Sequence, residues 1–124
     1  MNIRVLVLGS GISGLSAAYY LSRSGLHPLV LERAGHTGGQ TPYQLLCGLL
    51  ERKVPVVKNT RILHVSAFPE QHRVDVEIQR PGKKKETLTA HRVLFALPPE
   101  ETATILQAVS TGIRAAKKVM QSIG

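Results

Sequence analysis

An apolar run broken only by Arg4, from Ile3 to Leu8 (IRVLVL), opens the chain and stops at Gly9. Its aliphatic and β-branched side chains leave neither face polar, so the pattern predicts a strand buried on both faces of a parallel sheet. Ile12, Leu15, Ala18, Tyr19 and Leu21 then recur near helical spacing until Ser24-Gly25, where glycine supplies a left-handed cap. After His27-Pro28 a second short strand runs from Leu29 to Glu32. Strand, helix and strand in that order, with so short a connection, predict a βαβ unit.

Gly35, Gly38 and Gly39 mark an irregular loop, and Pro42 to Arg52 carries a helical pattern through Tyr43, Leu45, Leu46, Leu49 and Leu50. Val54 to Val57 predicts another buried strand. Arg61 to Ala67, Arg73 to Arg80 and Glu86 to Leu97 alternate as strands of an antiparallel meander, with Pro81-Gly82 at its second turn. The last of these ends in the apolar Val93-Leu94-Phe95-Ala96-Leu97, suited to rejoining the parallel sheet before Pro98-Pro99 stops it. From Glu100 the pattern is helical, with Ile105, Val109, Ile113, Ala116, Met120 and Ile123 on one stripe; Gly112 within it implies either a break near Ser110-Thr111-Gly112 or close packing there.

The chain has 124 residues, enough for one core, and no apolar run reaches the ~18 residues that span a bilayer. Sixteen Lys and Arg against eight acids give a formal charge of +8, which favours an anionic partner without choosing among cofactor, nucleic acid and acidic membrane. Cys47 is the only cysteine, read as a buried, inert thiol; no intramolecular disulfide is possible. The five histidines lack metal-ligand spacing, so no metal site is expected. Lys83-Lys84-Lys85 reads as a solvated turn, and the meander lacks the aromatic platforms of a nucleic-acid binder. Nothing at the amino end resembles a cleavable targeting peptide.

Chemistry concentrates in Gly9-Ser10-Gly11-Ile12-Ser13-Gly14, a G-x-G-x-x-G placed between a strand and the helix it opens. Gly9 permits the tight turn, Gly11 admits a pyrophosphate to the backbone, and Gly14 lets the helix lie close on the strand. Glu32 closes strand two, where a carboxylate can accept hydrogen bonds from both hydroxyls of an adenosine ribose. A 2′-phosphate would meet that carboxylate with like charge, which argues against NADP, although Arg33 beside it could serve a phosphate. These features predict a Rossmann-like FAD/NAD(P)-binding α/β domain: parallel sheet, inserted antiparallel meander, C-terminal helix. They do not separate FAD from NAD.

The segment Glu32-Arg33-Ala34-Gly35-His36-Thr37-Gly38-Gly39-Gln40 resembles the stretch after strand two in the FAD-dependent superfamily of amine oxidases, protoporphyrinogen oxidases and phytoene desaturases. Within it, residues Val7 to Leu21 are most similar to the opening segment of the protoporphyrinogen oxidases. The resemblance implies FAD as cofactor, with Gly38, Gly39 and Gln40 around its diphosphate and ribityl chain, Arg33 alongside, and the backbone of Ile62 at the adenine. It further implies oxidation of protoporphyrinogen IX to protoporphyrin IX by oxygen in heme biosynthesis. With that come a porphyrinogen substrate, a possible membrane surface and the mitochondrial inner membrane, against a soluble cytoplasmic alternative.

Thr111 to Ala116 is similar to the start of the family's last helix. The expected organisation is one FAD-binding domain over 1–124: a dinucleotide unit in 1–40, helix, strand and meander in 41–98, and a helical segment in 99–124. By the same comparison the chain is a shortened member lacking most of the substrate domain and the Gly-Asp turn before the last helix. Retained activity is not implied, and no catalytic residue is named. Other amine-oxidase or desaturase-like proteins, or a catalytically silent dinucleotide-binding module, remain open.

Overall fold

A computed structural model describes residues 3–37 and 44–107. Strand β1 (Ile3–Leu8) leads to helix α1 (Ile12–Arg23), strand β2 (Pro28–Leu31) and helix α2 (Gln44–Glu51). Then come β3 (Val56–Val57), β4 (Arg61–Phe68), a single 3-10 turn (Pro69–Gln71), β5 (Arg73–Gln79), β6 (Glu86–Phe95) and α3 (Pro99–Gln107). The expected elements are present within those bounds, except that the buried strand expected over Val54 to Val57 shrinks to the half-buried pair Val56–Val57, with Val54 buried ahead of it. The predicted C-terminal stripe beyond Gln107, and Gly38, Gly39 and Gln40, lie outside the described residues.

The strands form one mixed sheet in the order β3-β2-β1-β6-β5-β4. β3, β2, β1 and β6 run parallel, while β5 and β4 continue antiparallel from β6. β6 belongs to both halves: Glu86–Ala90 pairs with β5, and Ala90–Phe95 pairs with β1. The second half carries the apolar Val93-Leu94-Phe95, with Val93 in the core on one face of the sheet and Leu94 packed against the core on the other.

Side-chain alternation in β1 sends Leu6 and Leu8 to one face and Val5 and Val7 to the other. On the first face Leu6, Leu8 and Leu31 pack with Val65, Val74, Val76 and Ile78 of the meander and Ile105 of α3. The meander therefore folds back over the parallel strands rather than extending flat beside them. On the second face Val5, Val7 and Val30 meet Leu15 and Ala18 of α1, Cys47 of α2 and Val54. Helix α1 thus sits directly behind the loop that precedes it, and the carboxyl ends of β1, β2 and β6 converge at one rim.

Helix α2 corrects the stripe read from its sequence. Cys47 is buried and Leu50 partly so, whereas Leu45 is 89% exposed and Leu46 and Leu49 also face outward. Cys47 lies on the face turned to α1 and Val54; burial pushes its thiol pKa up, as an inert thiol requires. No described helix is long and apolar enough to cross a membrane.

Candidate dinucleotide-binding site

Three glycines shape the turn between β1 and α1, for different reasons. Gly9 has φ +107°, and a Cβ there would lie 2.5 Å from the carbonyl oxygen of Ala96. Gly14 faces the same place from the helix: its Cβ would overlap the Gly9 carbonyl and sit 3.1 Å from Ala96 Cβ. Both positions exclude a side chain because strand, helix and the end of β6 touch there.

Gly11 differs. Its backbone is extended, with φ −68° and ψ −178°, a conformation open to any residue, and a Cβ would meet nothing within 4 Å. No steric contact demands glycine here; as the N-cap of α1 it is a residue suited to a helix start, and its bare backbone leaves room for a ligand.

Beyond Gly11 the first intrahelical bond of α1 runs from Leu15 N–H to the Gly11 carbonyl at 3.0 Å. The amides of Ile12, Ser13 and Gly14 precede it and have no partner within the helix. No acidic side chain in the first turn neutralises this positive end, and no side chain caps it. Such a tip suits an anion. Ile12 takes part through its backbone only, since its side chain packs in the α1-side core, while Ser13 is exposed.

Glu32 lies just past β2, with its N–H donating to Val57 O at 2.9 Å and its carbonyl accepting from Thr60 N–H at 2.8 Å. Its Oε1 accepts from the Ser10 N–H at 3.2 Å and the Ser10 hydroxyl at 2.5 Å, and its Oε2 from the Ala34 N–H at 2.7 Å. An ionised carboxylate offers about four acceptor positions, so the chain itself fills most of them. The geometry joins the glycine loop to the Glu32 carboxylate through Ser10, a contact that the sequence reading did not contain.

Arg33 and Ile62 come together on a cavity of about 250 Å³ at the carboxyl rim of the sheet, with Thr60, Leu97, Glu101 and Ile105 in its wall. Arg33 Nη2 lies 3.2 Å from Glu101 Oε1 of α3. Pro98-Pro99-Glu100-Glu101, an acidic first turn directly after a strand aimed at this rim, was the available signal for that partner. The loop is braced separately at Thr37, whose hydroxyl donates to Glu51 Oε2 at 2.5 Å while Lys58 Nζ donates to Oε1 at 2.6 Å. Those hydrogen bonds hold the Glu51 carboxyl pKa below its usual range against a smaller opposing effect of burial. Among the described residues no cluster of His, Cys, Asp or Glu could hold a metal.

Residues 7–74, more than half of the chain, match the family model described as NAD(P)-binding Rossmann-like domain. The chain belongs to this family. The Rossmann-like domain is 60% identical over 37 residues to the flavin-containing amine oxidase of Danio rerio, covering 30% of this chain and 7% of the amine oxidase. It is 43% identical over 51 residues to NADH glutamate synthase of Schizosaccharomyces pombe, covering 41% of this chain and 2% of that protein. The solved complex of OTEMO with FAD and NADP superposes at TM-score 0.63 and 14% identity, over 76% of this chain and 25% of the other, a likeness of fold. This Rossmann-like domain spans a small fraction of the length of each.

Proposed function

We propose that the chain is the FAD-binding part, organised as a single domain over 1–124, of an FAD-dependent oxidoreductase of the amine-oxidase kind. Gly11 carries the reading: it is the one glycine of the loop at which a Cβ would meet no protein atom, and it caps a helix whose own first turn holds no acidic side chain. The flavin-containing amine oxidase segment supports flavin over nicotinamide as the resident group. When bound, FAD supplies the ring that takes hydride from a substrate and passes the electrons on.

The residues present fit that group. Gly9 turns the chain, the amides of Ile12, Ser13 and Gly14 face the diphosphate, and Gly11 leaves it room. Glu32 keeps acceptor capacity at Oε2 for a ribose hydroxyl, and the cavity of Thr60, Ile62 and Leu97 takes the adenine. Gly38, Gly39 and Gln40 belong to the same reading through resemblance.

A finer reading is protoporphyrinogen oxidation by oxygen, with a porphyrinogen as substrate and the mitochondrial inner membrane as location. It rests on the similarity of Val7 to Leu21 to that enzyme group. Orienting a porphyrinogen needs walls beyond the residues described, and a misplacement of ~1 Å can cost 10²-fold in rate.

The test is an absorbance spectrum of purified protein before and after adding FAD, followed by desalting. Retained flavin bands are expected, and Gly11→Val should lose them with its melting temperature unchanged. Calorimetry that detects no association with FAD, by folded protein at saturating concentration, overturns the reading.

A further inference from the structure

Arg33 lies beside the ribose carboxylate, where a free guanidinium would grip a 2′-phosphate through paired N–H donors. It borders two cavities. One is the 250 Å³ cavity of Ile62 and Glu101; the other, about 290 Å³, is lined by Asn59 and by two further arginines, Arg61 and Arg80. Three guanidinium groups next to an adenosine site would ordinarily favour a phosphorylated ribose. Two of them are already matched with acids: Arg80 donates to Glu86 Oε1 through both Nε and Nη2, and Arg33 is 3.2 Å from Glu101.

Glu101 is well placed to keep its hold. It lies in the first turn of α3, where the helix dipole favours a carboxylate, and α3 is pinned by Ile105 in the core. Glu100 borders the same cavity and adds a second negative group near the pair.

We infer that Glu101 is a specificity-determining residue: by holding Arg33, it makes the adenosine cavity prefer a ribose without a 2′-phosphate. This rests on the FAD-binding reading above. A 2′-phosphate reaching Arg33 must displace the Glu101 carboxylate and then lie between Glu32 and Glu101, both negative. FAD and NAD carry two ribose hydroxyls instead and need neither change. Arg33 is largely exposed, with 68% of its side chain accessible, so the preference is a matter of several-fold and not of orders of magnitude.

The experiment is calorimetric titration of the full chain with 5′-AMP and with adenosine 2′,5′-bisphosphate. It compares the parent, Glu101→Gln and the double variant Glu101→Gln/Arg33→Ala, each checked by thermal melting. The parent should prefer 5′-AMP. Glu101→Gln should tighten the bisphosphate by about fivefold with 5′-AMP changed by less than about twofold, the range of an exposed ion pair. The double variant should lose that gain, because Arg33 mediates it. An unchanged ratio in Glu101→Gln, a gain that survives in the double variant, or a parent that prefers the bisphosphate overturns the inference while leaving FAD binding intact. A parent that binds neither 5′-AMP nor FAD overturns the underlying reading, and this inference with it.

Discussion

The Ser10 hydroxyl donates to Glu32 Oε1 at 2.5 Å, across 22 residues of sequence. One side chain of the glycine loop thus fixes the rotamer of the carboxylate proposed to meet the ribose. Ser10→Ala removes the hydroxyl and keeps the backbone bond to the same oxygen. The expected cost is about 1 kcal/mol of stability, with weaker FAD binding because Glu32 is no longer held. Ser10→Thr should restore both. Denaturant melts paired with flavin titration check this; an unaltered affinity in Ser10→Ala removes Ser10 as a positioning residue.

Glycine should be needed for opposite reasons at Gly14 and Gly11. Gly14→Ala drives a methyl group into the Gly9 carbonyl and against Ala96, so α1 must lift from the sheet. Overpacking of this kind costs about 1–3 kcal/mol, and rigid backbone on both sides places it toward the upper end. Gly11→Ala should leave stability unchanged or slightly raised, since alanine narrows the unfolded ensemble by about 0.4–1 kcal/mol where its backbone fits. Urea midpoints of the two variants check the contrast.

Acid should loosen the brace at Thr37. Glu51 has its folded pKa lowered by hydrogen bonds from Lys58 and Thr37. A depressed carboxylate contributes stability that is fully present above its unfolded value and is lost as pH falls through its folded value. Stability should therefore decline below about pH 4.3, the ordinary glutamate value. In Glu51→Gln the part due to this residue disappears, so its curve is flatter on the acid side and lower near neutrality by about 1 kcal/mol, half-exposed partners discounted. Melting temperatures across pH 3 to 7 (roughly the carboxylate titration range) compare the two proteins; parallel curves contradict the assignment.

Val76 of the meander and Leu6 of the parallel strands belong to one core, each with no exposed surface. Leu6→Ala should cost about 2–5 kcal/mol and Val76→Ala somewhat less, through lost burial plus the cavity left behind. Either loss, read from chemical denaturation, should appear in probes on both halves of the sheet. A loss confined to one half would mean that the meander does not share this core.

Local patterns made much of this fold legible. The apolar run of β1, broken only by Arg4, the helical spacing of α1 and the alternation of β5 each bury what their sequence periods require, and β2 differs from its expected bounds by one residue at each end. Period alone says which face is buried and not against what, so the folding of the meander over Leu6 and Leu8 was not legible. In α2 five apolar positions competed for one narrow contact, and Cys47 rather than Leu45 or Leu49 won it. At the site, Gly9, Ser10, Gly11, Gly14 and Glu32 were readable because the motif is contiguous or fixed by one crossover. For Glu101 the acidic turn after β6 was a signal of location only, because its meeting with Arg33 depends on where α3 returns after the whole meander.

Ala90 is in register with Ile3 on one side and Val74 on the other, so a single residue carries the handover between the two halves of β6. Peeling the hairpin of β4 and β5 away would strip one edge from the first half of the strand whose second half supports β1 and leads to the Ala96 carbonyl against which Gly9 turns. Amide exchange in the glycine loop between β1 and α1 should then slow or quicken together with exchange in the far end of a hairpin that lies well away from that loop in sequence.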